Sequence, residues 1–106
     1  MAWLFLFTAG VAEIVFAVSL KFNEGFTRLI PSIITGVAGT TSFYLLTLAM
    51  RGLPLGNAYA IWTGMGAVGV ALVGIFYFKE SADWLRIASL LLVVIGILGL
   101  KLSHSE

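Results

Sequence analysis

Four long apolar stretches alternate with short polar joints along the 106 residues. The stretches cover about residues 2–20, 29–50, 58–78 and 84–102, and the joints at 21–28, 51–57 and 79–83 hold most of the charge. Each stretch is close to the ~20 residues that a helix needs to cross the hydrocarbon of a bilayer. No water reaches the backbone there, so a crossing segment must satisfy its own N–H and C=O groups, and all four are predicted to be helices. Joints this short force consecutive helices to run antiparallel. The predicted fold is an all-α membrane protein, a compact sheaf of four transmembrane helices forming one domain over residues 1–106. The first stretch has no basic leader and is longer than the apolar part of a signal peptide, so it reads as a retained span.

Composition agrees with this pattern and removes several function classes. The chain is 60% hydrophobic and 10% charged, with mean hydropathy +1.08, whereas a soluble domain carries about 25% charged residues. Cysteine is absent, which excludes disulfides and thiolate metal sites. The single histidine, His104, has no second His or Cys to form a metal set with, and no cofactor is expected. A net charge of +1 gives no basic field for nucleic acid. With alternating crossings, the N-terminal amine, Arg51 and Lys101 share one membrane face, and Lys21, Arg28, Lys79 and Arg86 the other. The positive-inside rule needs an imbalance and finds almost none, so a chain of this kind can insert either way up.

One residue breaks the apolar pattern. Glu13 stands past the midpoint of WLFLFTAGVAEIVFAVSL, a run with no Lys or Arg. An ionisable group at membrane depth is costly and by default marks an ion or substrate path. At helical spacing Glu13 shares a stripe with Leu6, Ala9, Gly10, Phe16, Ala17 and Leu20. Gly10 and Ala17, one turn either side, are expected to leave space beside it, with Phe16 as an aromatic wall. Burial disfavours the charged carboxylate unless a cation compensates it. The group can therefore hold a proton or a cation, each expelling the other, which is the minimal chemistry of a proton-coupled cation antiporter. The plainer reading is a carboxyl paired silently with a neighbouring helix, but no intramembrane Lys or Arg is available to pair with it.

Other features are open to two readings each. In AYAIWTGMGAVG, Tyr59, Trp62, Thr63 and Gly66 share a helical face. The aromatic pair can flank a cation and orient a carboxylate, or can belong to an interfacial belt. Gly64–Met65–Gly66–Ala67–Val68–Gly69 spells GxGxxG but lies inside an apolar span, without the strand and acidic residue of a dinucleotide site. Gly64 and Gly66 mark close packing or a point of helix bending. In the second span Ser42 can bond a ligand or its own helix. The fourth span carries only a small-residue notch, Gly96 and Gly99, suited to packing between subunits. One acid in four helices makes a poor pathway. Two copies would bring two Glu13 carboxylates to one cavity, and opposite insertion would give the symmetry of an inverted repeat.

The stretch GVAEIVFAVSLKFNEGFTRLIPS, with SFYLL, LPLGNAYAIWTGMGAVG and the closing GILGLKL, resembles the small multidrug resistance transporters over essentially the whole chain. The resemblance implies four helices, an antiparallel dual-topology homodimer in the bacterial inner membrane, and exchange of protons for small organic cations. Gly10, Ala17, LGNAYAIWTG and GLKL resemble the branch that exports guanidinium. By that similarity Glu13 matches the shared substrate and proton site, and Ser42, Tyr59 and Trp62 match residues that orient the glutamates and line the cavity. Phe16 departs from the Trp usual in that branch and lacks its N–H donor. Export of bulkier quaternary ammonium and aromatic cations is therefore the alternative. A rotor-type proton carrier, a structural subunit or half of a heterodimer fit the pattern less well, and an enzyme least.

Overall fold

A computed structural model describes residues 1–103 of the chain; His104, set aside above as a metal ligand, lies outside the described residues. Four helices follow one another: α1 (Ala2–Phe22), α2 (Leu29–Ala49), α3 (Leu55–Phe76) and α4 (Trp84–Ser103). All four are long and apolar enough to cross a membrane. At 1.5 Å per residue, 20 to 22 residues reach about 30 Å, the thickness of the hydrocarbon. The chain is a multi-pass membrane protein.

The helix ends follow from local chemistry. α1 stops at Asn23, after which Glu24, Gly25 and Phe26 all have positive φ (49°, 73° and 66°). Only glycine adopts such angles freely, and the buried Asn23 holds the turn by accepting the Phe26 N–H on Oδ1 at 3.1 Å. α2 begins after an extended Arg28 and tolerates Pro31 because a first-turn residue needs no N–H acceptor. α3 starts at Leu55, earlier than the apolar run suggests. Pro54 stands at its N-cap and offers its carbonyl to the Ala58 N–H at 3.0 Å. α4 is capped by Asp83, whose Oδ1 accepts the Arg86 N–H at 2.9 Å.

The expected compact sheaf is corrected by the way the helices pack. The molecule is a plate with extents of 43 × 35 × 16 Å. α1 packs closely on α2 and α3, and α2 and α3 meet over a short stretch around Ser42, Phe43 and Trp62. The α4 backbone comes close only to α3, although Lys101 near its end reaches over the Trp3 and Phe7 rings of α1. The order across the plate is thus α2, α1, α3, α4. The core, formed around Leu6, Ala9, Leu46, Ala49, Ile61 and Trp62, lies toward one end. Among the described residues α4 buries none, so an apolar helix is left on the edge.

Candidate functional site

Glu13 sits where α1 meets α3, and glycine makes the meeting possible. A β-carbon added to Gly66 would lie 2.8 Å from Glu13 Cγ, closer than such atoms approach, so a side chain at Gly66 would displace the carboxylate. Gly69, one turn on, similarly admits Ile14. Gly64 faces the other way and admits Ile97 and Val93 of α4. The three glycines of the GxGxxG string are packing positions on two faces of an unbroken α3. On the α2 side Gly39 receives the Phe16 ring, whose Cδ1 would be 2.8 Å from an added β-carbon. The space expected beside Gly10 is filled instead by Met65, whose Cε would lie 2.7 Å from a β-carbon there.

Glu13 Oε1 is buried and has no hydrogen-bond partner among the described residues. Buried polar atoms are nearly always partnered, and each exception needs a cause. One turn away a hydrogen-bond chain is complete. The Trp62 N–H donates to Ser42 Oγ at 2.8 Å, and the Ser42 hydroxyl donates to the Ala9 carbonyl at 2.8 Å. This chain joins α3, α2 and α1 in a fully buried spot, Ser42 being 0% and Trp62 4% exposed. Ala9 is four residues before Glu13, so its carbonyl is also the α-helical acceptor of the Glu13 N–H. Ser42 and Trp62 thus fix the backbone on which Glu13 stands, while Ser42 gives its proton to that backbone and not to the carboxylate.

The remaining predicted residues separate. Trp62 carries Phe43 and Tyr59 on its ring, at centroid distances of 5.3 and 5.5 Å. Tyr59 is 53% exposed and extends this aromatic wall outward. Thr63 returns its hydroxyl to the Tyr59 and Ala60 carbonyls at 2.9 and 3.2 Å, so it offers no donor to a site. Gly96 and Gly99 lie on the exposed edge helix, and an added β-carbon at either would meet nothing within 4 Å. Sequence reasoning missed a second buried polar cluster further along α1. Ser19 Oγ and Thr35 Oγ1 are 2.6 Å apart, Asn23 Nδ2 donates to Thr35 Oγ1 at 3.2 Å, and Thr35 donates to the Pro31 carbonyl at 2.8 Å. The i, i+4 spacing of Ser19 and Asn23 was the available signal.

Fold and site together define a small four-span membrane protein with one unpartnered acid between two glycine-lined helices, open on one edge. The model of the family described as Small Multidrug Resistance protein matches residues 1–93. The chain belongs to that family. It is also similar along its length to proteins named guanidinium exporter. The one from Proteus vulgaris is 58% identical, covering 97% of this chain and 99% of the relative. Those from Escherichia coli (strain K12) and Yersinia pestis are 55% and 54% identical, covering 97% of this chain and 98% and 99% of theirs.

Proposed function

We propose that this chain is an exporter of small organic cations, with guanidinium as its main substrate and protons as the counter-ion, in the bacterial inner membrane. The observation that carries the reading is the buried, unpartnered Oε1 of Glu13. A proton or a cation would supply the missing partner, and either would expel the other. Guanidinium suits the place because it is planar, stays charged across physiological pH and can fork to a carboxylate. The aromatic wall offers π faces to its flat surface at Tyr59 and Phe43, both exposed, with the buried Trp62 ring holding them from behind. The names of the relatives support the same substrate.

The working unit in this reading is an antiparallel homodimer. No residue of α4 is fully buried in the single chain, and the bare surface at Gly96 and Gly99 permits close approach of a second copy. The second copy brings its own Glu13 and closes the open side of the plate. Flexing of α3 about Gly64 and Gly66 would then let the two copies exchange shapes.

Purified chain reconstituted in liposomes on a solid-supported membrane provides the test. Guanidinium should evoke currents that a proton gradient drives, and Glu13→Gln should remove them. Undiminished coupled currents in that variant would sink the mechanism. One observation favours a broader substrate range: Phe16 is seated on Gly39 and has no N–H to offer Glu13. The same recording with tetrapropylammonium separates the two readings, since a current rivalling that of guanidinium would establish the broader one.

A further inference from the structure

A cleft of about 290 Å³ runs between α1 and α3, lined among others by Ala17, Lys21, Ala67, Ala71, Glu80 and Arg86. It begins near the acid. Glu13, Ala17 and Lys21 follow one another at intervals of four along one face of α1, and Ala67 adjoins the glycine that admits Glu13. The cleft thus ends one turn short of Glu13, which does not line it, and runs to the end of the span, where its mouth is polar.

The α3–α4 joint is folded to put a carboxylate at that mouth. Lys79 takes a φ of 59°, unusual for a residue with a side chain. The chain thereby turns back, and the Glu80 N–H reaches the Gly74 carbonyl at 3.0 Å. The Glu80 carboxylate rests on Gly74 so closely that a β-carbon there would collide with Oε1. What occupies this carboxylate is itself a guanidinium: Arg86 Nη2 donates to Glu80 Oε1 at 2.7 Å, and Nη1 donates to the Ser81 carbonyl at 2.9 Å. Both side chains remain partly exposed, Arg86 32% and Glu80 43%, so the pair can open without unfolding anything.

We propose that Glu80 is an outer station for guanidinium-type cations at the mouth of the cleft that ends one turn from Glu13, and that Arg86 is a tethered guanidinium that occupies it until an arriving cation exchanges with it. The proposal rests on the transport reading above. The fit is chemical: a carboxylate placed to accept one guanidinium accepts another of the same shape. The tethered Arg86 stands at high effective concentration beside the carboxylate and takes it back readily, so the station passes cations on and does not store them. Lys21, whose Nζ lies 5.1 Å from the centre of the Phe78 ring at the same mouth, adds positive charge that shortens each stay. The unpartnered Glu13 deeper in the protein is the stronger sink. In an inverted second copy the same pair would stand at the opposite membrane face, giving each face one station.

Two measurements on the full chain test this. The first titrates guanidinium chloride into protein carrying ¹⁵N-labelled arginine in bicelles, both wild type and Glu13→Gln. The Arg86 side-chain signals should move in both proteins and stay still in Glu80→Gln. The second records guanidinium currents. Arg86→Gln should lower the concentration giving half-maximal current, and Glu80→Gln should raise it, each about two- to fivefold, the range an exposed ion pair commands. Maximal current should be kept, and the double variant should behave as Glu80→Gln. Moving Arg86 signals without any guanidinium current in the wild type would sink the transport reading and leave the station standing. Currents with unmoved Arg86 signals would overturn the station alone. So would a shift of both single variants in the same direction, as a mere loop brace predicts.

Discussion

Two polar clusters lie buried on α1, less than two turns apart, and they differ in whether their hydrogen bonds close. At the far end Ser19, Asn23 and Thr35 bond to one another, and the Phe16 and Pro31 carbonyls stand as further acceptors for the two hydroxyl protons. That cluster joins α1 to α2 beside the tight Glu24–Gly25–Phe26 turn and leaves nothing for a ligand. Around Glu13 the supporting chain from Trp62 through Ser42 to Ala9 is equally closed, but the carboxylate it supports keeps an oxygen without a partner. The closed cluster ties α1 to α2; the open one, in the function proposed above, takes a proton or a cation as its missing partner. In a chain with so little polar material, this distinction is a better guide to function than polarity itself.

The comparison is tested most severely by removing one hydroxyl from each cluster. Ser42→Ala takes the acceptor from the buried Trp62 N–H and the second donor from the Ala9 carbonyl. Interhelical hydrogen bonds in membrane proteins average under about 1 kcal/mol, and an orphaned buried donor costs about 1–3 kcal/mol. Thermal unfolding in detergent should show a loss within that range. Guanidinium currents per folded molecule should fall roughly tenfold, the effect of about 1.4 kcal/mol at the site, as Trp62 and the Glu13 backbone lose their fixed register. An unchanged current would mean that this hydrogen-bond chain does not position Glu13.

Thr35→Val is the matching change in the closed cluster. It preserves shape while removing the group that accepts from Asn23 and meets Ser19. The cost to stability should be similar, about 1 kcal/mol. Currents normalised to folded protein should stay at the wild-type level. A fall in normalised current as large as that of Ser42→Ala would erase the distinction between the clusters.

The parts of the molecule that sequence made legible are those where one residue contradicts its surroundings. Four apolar runs give four helices because lipid tolerates little else, and Glu13 stands out because it has no intramembrane counter-charge. The lateral order of the helices was not legible. In a soluble helix the buried face shows as an apolar stripe, but here lipid and protein interior are both apolar and the stripe vanishes. Small residues carry the information instead: Gly10, Gly39, Gly66 and Gly69 each receive a side chain from the neighbouring helix. Their spacing marks a close approach without saying which helix makes it. The Asn23 turn and the Glu80–Arg86 pair were hidden for another reason, since both depend on residues at positive φ that no hydropathy pattern reports.

Thr63 provides the mildest test, and a useful one because sequence reading grouped it with Tyr59 and Trp62. Its hydroxyl is returned to its own helix at Tyr59 and Ala60, so in the terms of the comparison it is closed. A hydroxyl bonded back within a helix contributes little to stability. Thr63→Val keeps the branched shape and should change stability by no more than about 0.5 kcal/mol, within the spread of substitutions that disturb no special feature. The concentration of guanidinium giving half-maximal current should stay within about twofold of wild type, an energy difference of under about 0.5 kcal/mol. A larger shift with unchanged stability would show that Thr63 releases its own helix to meet the cation. It would also show that a hydrogen bond closed within one helix is weaker grounds for excluding a residue from the site than one closed between two.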